Sequence, residues 1–371
     1  MLLSKRVCFL GQALLLRSRP LTLRSHMELA GVVSVLERLA PLALAESWDN
    51  VGLLVEPSPP HQVRTLLLTN DLTEDVMEEA LRVQAQLILS YHPPLFRPFT
   101  RVTMATWKER LVVRALENRV AIYSPHTAFD ASPHGVNDWL AKGLGDCSTV
   151  PLTISVGDSF PTPGSHRLEV TLPEGFDVSL LTELESLRGV RITVQPLSPG
   201  SRLSLTCPRK ALVEVVRLLS AVSGLRTGPE IVELQKPPIP QTGMGRLCTL
   251  REKVSVATLI ERVKGHLKLK HVRLALGTRK TLDSPVASVA LCAGSGASIL
   301  RGVEADLFLT GEMSHHEVLD AVAVGTSVVL CEHSNTERGF LTELRDVLTQ
   351  HLQSQVTVLV SAVDKDPLQV V

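Results

Sequence analysis

The sequence predicts an α/β protein, a composite α/β body that carries an inserted ferredoxin-like module. Apolar strand segments alternate with amphipathic helices from about residue 29 to 123 and again from about 256 to 351, the order that builds parallel βαβ units. Between these stretches the order becomes βαββαβ, which is the ferredoxin-like unit. Pro-rich stretches bound it, near Pro151 and at Pro237-Pro238-Ile239-Pro240, as linkers do.

Taken in order, Leu29, Val32, Val33, Leu36 and Leu39 have helical spacing, and that helix must stop before Pro41. The run RTLLLT (64–69) reads as a buried strand, followed by a helix over 74–83, a strand over 86–90, a helix over 107–118 and a strand over 120–123. The middle module reads as strand 167–172, helix 178–187, strands 190–195 and 202–206, helix 210–222 and strand 230–234. Then come helix 256–267, strands 272–276 and 286–292, a glycine-containing turn at Ala293-Gly294-Ser295-Gly296, strand 305–309, helix 314–324, strand 327–330 and a long helix from about 336 to 351. The expected divisions are 1–26, a basic extension; 27–150, an α/β segment; 151–240, the inserted module; and 241–371, a second α/β segment.

A chain of 371 residues, 44% hydrophobic and 20% charged, is long enough to bury several cores and far from disordered compositions. Lys plus Arg (38) cancels Asp plus Glu (38), and aromatics are 4%, so direct nucleic-acid binding by a basic, stacking surface is not expected. No apolar run reaches the ~18–20 residues of a membrane span, because the longest, 286–300, is interrupted by Gly294 and Gly296. The six cysteines are scattered without a CxxC pair, which fits free thiols in a reducing compartment and argues against a Cys-based zinc site. Residues 1–26 hold five basic and no acidic side chains among leucines and serines. Two readings stand: a mitochondrial presequence, or a non-targeting extension with Met27 as a second initiator.

Four strand ends carry polar residues that could act together, since ligands of open α/β sheets bind at the carboxyl ends of strands. They are Tyr91-His92-Pro93-Pro94, the stretch from Ser124 through His126 to Asp130, Thr310-Gly311-Glu312, and Cys331-Glu332-His333-Ser334-Asn335-Thr336-Glu337. His333 and Glu337, four apart at an expected helix start, lie on one face and can reach one divalent ion. Alone, each has a plainer reading: a solvated helix face for that pair, a turn histidine for His92, and a cap of the next helix for Asp130. The Ser295-Gly296 turn lacks a Walker lysine and reads as packing.

Six segments together resemble the NIF-three-like family, whose bacterial members carry the label GTP cyclohydrolase I type 2. They are SWDNVGLLV (47–55), LSYHPPLF (89–96), YSPHTAFDASPHGVNDWL (123–140), GMGRL (243–247), LTGEMSHH (309–316) and CEHSNTERG (331–339). The resemblance implies a site for one or two divalent ions (Zn, Fe, Mn or Co), with His92, Asp130, His333 and Glu337 as ligands. It also implies a departure, because Tyr91 stands where the family has the first histidine of a His-His pair, and neutral phenol is a poor ligand. His126 and Glu312 are then the candidate catalytic or orienting residues, while His315 and His316 are expected at the surface.

The function implied is that of a metal-binding regulatory protein acting through protein partners in transcription, as a corepressor, because the family is named for binding a coactivator component. The alternative is a metal-dependent hydrolase of a nucleotide or other small phosphorylated or amide-containing molecule. Self-association and a cytoplasmic and nuclear location complete the expectation, with mitochondrial entry if residues 1–26 act as a presequence.

Overall fold

The computed structural model describes residues 26–157, 159–160 and 162–370, so the targeting expectation placed on the basic extension falls on residues 1–25, which lie outside the described residues. The first helix, Leu29–Leu39, buries Leu29, Val32, Val35 and Leu36 and ends at Ala40, ahead of Pro41. It packs on a five-stranded sheet ordered Thr357–Val360, Thr65–Thr69, Leu87–Ser90, Ala121–Ser124 and Gly52–Val55. The first four strands are parallel and the last is an antiparallel edge. Helices Glu74–Arg82 and Trp107–Glu117 supply the crossovers, each started by a threonine hydroxyl (Thr73, Thr106) accepting a backbone N–H.

A six-stranded sheet is ordered Arg273–Ala275, Ser327–Leu330, Leu307–Glu312, Pro285–Ser295, Arg246–Ser255 and Cys147–Val150. Its three central members from Ser327–Leu330 to Pro285–Ser295 are parallel. The two sheets exchange edges. Cys147–Val150, from the N-terminal stretch, pairs with Arg246–Ser255, while the late strand Thr357–Val360 pairs with Thr65–Thr69. One core joins both sheets, running from Leu29 and Leu66 through Leu140, Leu291 and Leu309 to Leu348 and Val358. Each fully buried leucine there contributes about 1.5–3 kcal/mol.

The middle module is built in the βαββαβ order read from the sequence: His166–Leu172, Ser179–Ser186, Arg191–Pro196, Ser201–Cys207, Arg209–Ser220 and Glu230–Glu233. Its four strands form an antiparallel sheet with Ser201–Cys207 and His166–Leu172 central, and its core (Leu168, Leu172, Leu184, Leu203, Leu219) is separate from the others. The connection is not a bare proline linker. Strands Thr153–Val156 and Pro238–Met244 pair as an antiparallel ribbon, and the Gly157 N–H donates to the Pro237 carbonyl at 2.8 Å.

Two local expectations are corrected. The strand expected to end at 292 runs on to Ser295 through an irregular register, with Gly294 at φ +64°, so the expected turn is a bulge in the strand. The last helix begins at Phe340 rather than near 336. Before it lies a 3-10 turn, Ser334–Thr336, in which side chains compete for the backbone: Asn335 Nδ2 donates to the Cys331 carbonyl and Thr336 Oγ1 to the His333 carbonyl.

Candidate metal centre

Parallel register sets adjacent strand ends side by side, Thr69 opposite Ser90 and Leu89 opposite Tyr123. The residues that follow, Asn70-Asp71, Tyr91-His92 and His126, therefore gather at one edge of the five-stranded sheet. In the other sheet the same logic places Gly294, Glu312 and His333 at the ends of neighbouring strands. The two sets of strand ends face one another. His92 and His333, 241 positions apart in the chain, have ring centroids 5.1 Å apart.

Among the described residues, the ligand atoms of His92, His333 and Glu337 lie within 4.8 Å of one another. His92 Nε2 is 3.3 Å from Glu337 Oε2, and His333 Nε2 is 3.3 Å from Glu337 Oε1. The expected pairing of His333 with Glu337 holds without the expected helix, since the 3-10 turn between them brings the side chains together. Gly294 leaves room for them. A Cβ there would sit 2.5 Å from Glu337 Oε1 and 3.0 Å from His333 Nε2, so any larger residue would invade the centre.

Each ligand atom is aimed by a partner. His92 Nδ1 meets Asp71 Oδ1 at 2.9 Å, and the His92 backbone is held by its N–H on the Asn70 carbonyl and by its carbonyl accepting from Ser90 Oγ. Glu337 is buried and takes a hydrogen bond from Asn70 Nδ2 at 3.2 Å. His333 Nδ1 lies 3.4 Å from Glu312 Oε2. Asn70 and Asp71 were not singled out from the sequence. The signal was present, because both follow the buried strand that ends at Thr69, as the singled-out residues follow theirs.

Charge within the centre is tightly coupled. Burial pulls the His92 imidazole down, but the carboxylates of Glu337 and Asp71 outweigh it and push the pKa up to about 10. His333, similarly opposed by burial and favoured by Glu337, is pushed up to about 9. Glu337, which burial alone would raise, is held well below the usual carboxylate range by the two imidazoles. His92 Nε2 is a buried nitrogen whose nearest polar neighbour is Glu337 Oε2 at 3.3 Å. Two imidazoles and a carboxylate with their ligand atoms within 4.8 Å of one another are residue types that could together hold a divalent ion.

The other expected ligands behave differently. Asp130 stands outside the three-residue group. Its Oδ1 accepts from the Tyr91 hydroxyl, and burial, which favours the neutral carboxyl, raises it to about 6. Nor does Asp130 cap the next helix, which spans Val136–Lys142 and starts at Gly135; it lies in the short helix Thr127–Ala131, and its carbonyl accepts from Asn137 Nδ2. Tyr91 is fully buried, and burial together with Asp130 and Glu337 raises its phenol well above the ordinary value of 10.0. His126 flanks the centre, its ring 5.2 Å from that of His92 and its Nδ1 2.8 Å from Asp49 Oδ1. Its backbone, at φ +34°, is in a strained region for an L-residue. His315 and His316 are exposed, as expected.

The pattern of the Duf34/NIF3 (NGG1p interacting factor 3) family matches residues 27–367 of the chain. The chain belongs to the Duf34/NIF3 family. It is 59% identical over 353 residues to NIF3-like protein 1 of Rattus norvegicus, covering 94% of both chains. It is 30% identical to NGG1-interacting factor 3 of Saccharomyces cerevisiae, covering 93% of this chain and 98% of that one. The fold matches that of a Bacillus cereus protein related to NIF3, with a TM-score of 0.66 and 22% identity over 93% of this chain and 99% of that chain. The fold expected from the six segments is therefore the family fold, and within this Duf34/NIF3 chain Tyr91 stands in contact with Asp130.

Proposed function

We propose that the protein is a divalent-metal-binding regulatory protein that acts through protein partners in transcription. The observation that carries the metal reading is the approach of the His92, His333 and Glu337 ligand atoms to within 4.8 Å of one another. When bound, an ion here supplies Lewis acidity and lowers the pKa of a bound water. The His92, His333 and Glu337 side chains would hold it, with Asp71, Asn70 and Glu312 keeping them in place. Elemental analysis of the purified chain beside Glu337→Ala tests this: about one Zn, Fe, Mn or Co per chain, lost in the variant, is the expected result.

The partner reading is supported by the name of the yeast relative, NGG1-interacting factor 3. It is tested by co-precipitation of the tagged chain with transcriptional coactivator complexes and by repression of a reporter to which the chain is tethered. An unchanged reporter would remove the corepressor role. Self-association and a cytoplasmic and nuclear location belong to the same proposal, with a mitochondrial share that depends on residues 1–26. Light scattering and imaging of chains begun at Met1 and at Met27 check them.

A second reading, metal-dependent hydrolysis, is favoured by His126. Held by Asp49 on one nitrogen, it turns its ring toward His92 and could carry a proton to or from a group at the centre. Turnover of phosphoester or amide substrates that is lost in His126→Ala would favour the hydrolase.

A further inference from the structure

Away from the metal centre, the six-stranded sheet brings together two cysteines from opposite ends of the inserted module. The edge strand Cys147–Val150 pairs antiparallel with Arg246–Ser255, setting Cys147 opposite Leu250 and Thr149 opposite Cys248. Directly opposed and alternate residues of paired strands share a face, so the two thiols are diagonal neighbours on one face of the sheet. They share a hydrogen bond. Their surroundings differ. Cys248 is fully buried, whereas Cys147 is partly buried and lines a cavity of about 330 Å³ with His134, Asp138, Lys142, Gln241 and Arg246. That cavity gives a small polar solute a way to the Cys147 sulfur.

Protonation sets Cys147 apart as well. The hydrogen bond from Cys248 lowers the Cys147 thiol to about 7, against the opposing effects of burial and of the neighbouring Asp146. The same hydrogen bond, together with burial, keeps the proton on Cys248. Burial raises the thiols of Cys207, Cys292 and Cys331. The thiolate is the nucleophilic form, so among the described cysteines Cys147 is the one prepared to attack.

We propose that Cys147 and Cys248 form an oxidative modification site for hydrogen peroxide: a reactive cysteine lining a cavity and a buried resolving cysteine diagonal to it, which close into a reversible disulfide. The bond ties the strand that leads into the inserted module to the strand that returns from it.

In the first step the Cys147 thiolate attacks one oxygen of the peroxide. An S–O bond forms, the O–O bond breaks, the sulfur is oxidised by two electrons to the sulfenic acid, and the other oxygen leaves as hydroxide. In the second step the Cys248 sulfur attacks the Cys147 sulfur. The S–S bond forms, the S–O bond breaks, and the hydroxyl departs with the Cys248 proton as water. Diagonal Cα atoms commonly stand ~7–8 Å apart, at the outer limit of disulfide reach. Cys147 begins a four-residue strand at the sheet edge, hydrogen-bonded on one side only, and that strand makes the approach.

The test treats the full chain with a small excess of hydrogen peroxide near neutral pH, alkylates the remaining thiols and maps the peptides by mass spectrometry. The peptides carrying Cys147 and Cys248 should appear joined, Cys207, Cys292 and Cys331 should stay alkylated, and dithiothreitol should undo the link. In Cys248→Ser a dimedone probe should mark Cys147 as the sulfenic acid, and in Cys147→Ser the same dose should leave Cys248 a free thiol. No joined pair in the unmodified chain, a link to a different cysteine, or oxidation of Cys248 that persists in Cys147→Ser overturns the proposal. Mapping of the unmodified chain decides the cross-link even where Cys248→Ser, which alters the core, fails to fold.

Discussion

The Tyr91 hydroxyl donates to Oδ1 of Asp130, beside Glu337 and His92. The contact explains both residues at once. A phenol buried beside Asp130 and Glu337 keeps its proton, and one oxygen of the Asp130 carboxylate is engaged by it. On this reading the Tyr91 contact disfavours a second ion on the Asp130 side of the centre.

Replacing Tyr91 by histidine should reopen it. Tyr91→His supplies a nitrogen and releases Asp130, so metal uptake should rise from about one to about two ions per chain, counted by calorimetry in zinc. Tyr91→Phe releases Asp130 without adding a nitrogen and should bind the second ion more weakly than Tyr91→His. Two tight ions in the unmodified chain, unchanged by Tyr91→His, would refute this account.

Asp71 should matter to metal affinity more than to folding. Its contact with His92 Nδ1 leaves Nε2 for the ion, so Asp71→Asn or Asp71→Ala should weaken zinc binding by ~10–100-fold. The half-exposed aspartate contributes little to the core, and the thermal midpoint of the metal-free variant should stay close to that of the parent. A variant with parental zinc affinity would remove Asp71 from the centre.

Metal uptake should release protons. With His92 pushed up to about 10 and His333 to about 9, both imidazoles are charged at pH 7 in the metal-free chain, and an ion at their Nε2 atoms must displace those protons. Calorimetry in buffers of different ionisation enthalpy should show one to two protons released per ion at pH 7, as a rough count. Uptake without proton release would contradict the coupling.

The same raised values set a pH dependence of stability. For a histidine whose folded pKa lies above its unfolded value near 6.5, the contribution is fully present below about pH 6.5 and is lost as pH rises through the folded value. The metal-free chain should therefore lose a few degrees of thermal midpoint between about pH 7 and 10 as Glu337 and Asp71 lose their charged partners. The loss should shrink in Glu337→Gln. A midpoint that rises over this interval would reverse the assignment.

The inserted module should be dispensable for the metal centre. Its core is separate, and its entry and exit are clasped where the Gly157 N–H meets the Pro237 carbonyl. Joining 157 to 237 by a short turn should leave a chain that unfolds cooperatively and takes up zinc with parental stoichiometry. Loss of cooperative unfolding would show that the body depends on the module.

Periodicity and strand-end chemistry were legible without coordinates. Leu29, Val32 and Leu36 mark their helix, TLLLT reads as a buried parallel strand, and βαββαβ follows from local pattern alone, because each rests on burial of one face or both. His92, His333 and Glu337 could be named from their places at strand ends and from family resemblance. Short partners such as Gly52–Val55, Cys147–Val150 and Thr357–Val360 have too few residues to show a period, and pairing across the chain makes them strands. Only that tertiary exchange sets the ends of one sheet against the ends of the other. It brings His92 to His333, gives Tyr91 to Asp130 and recruits Asn70 and Asp71, because these contacts join residues that no local rule relates.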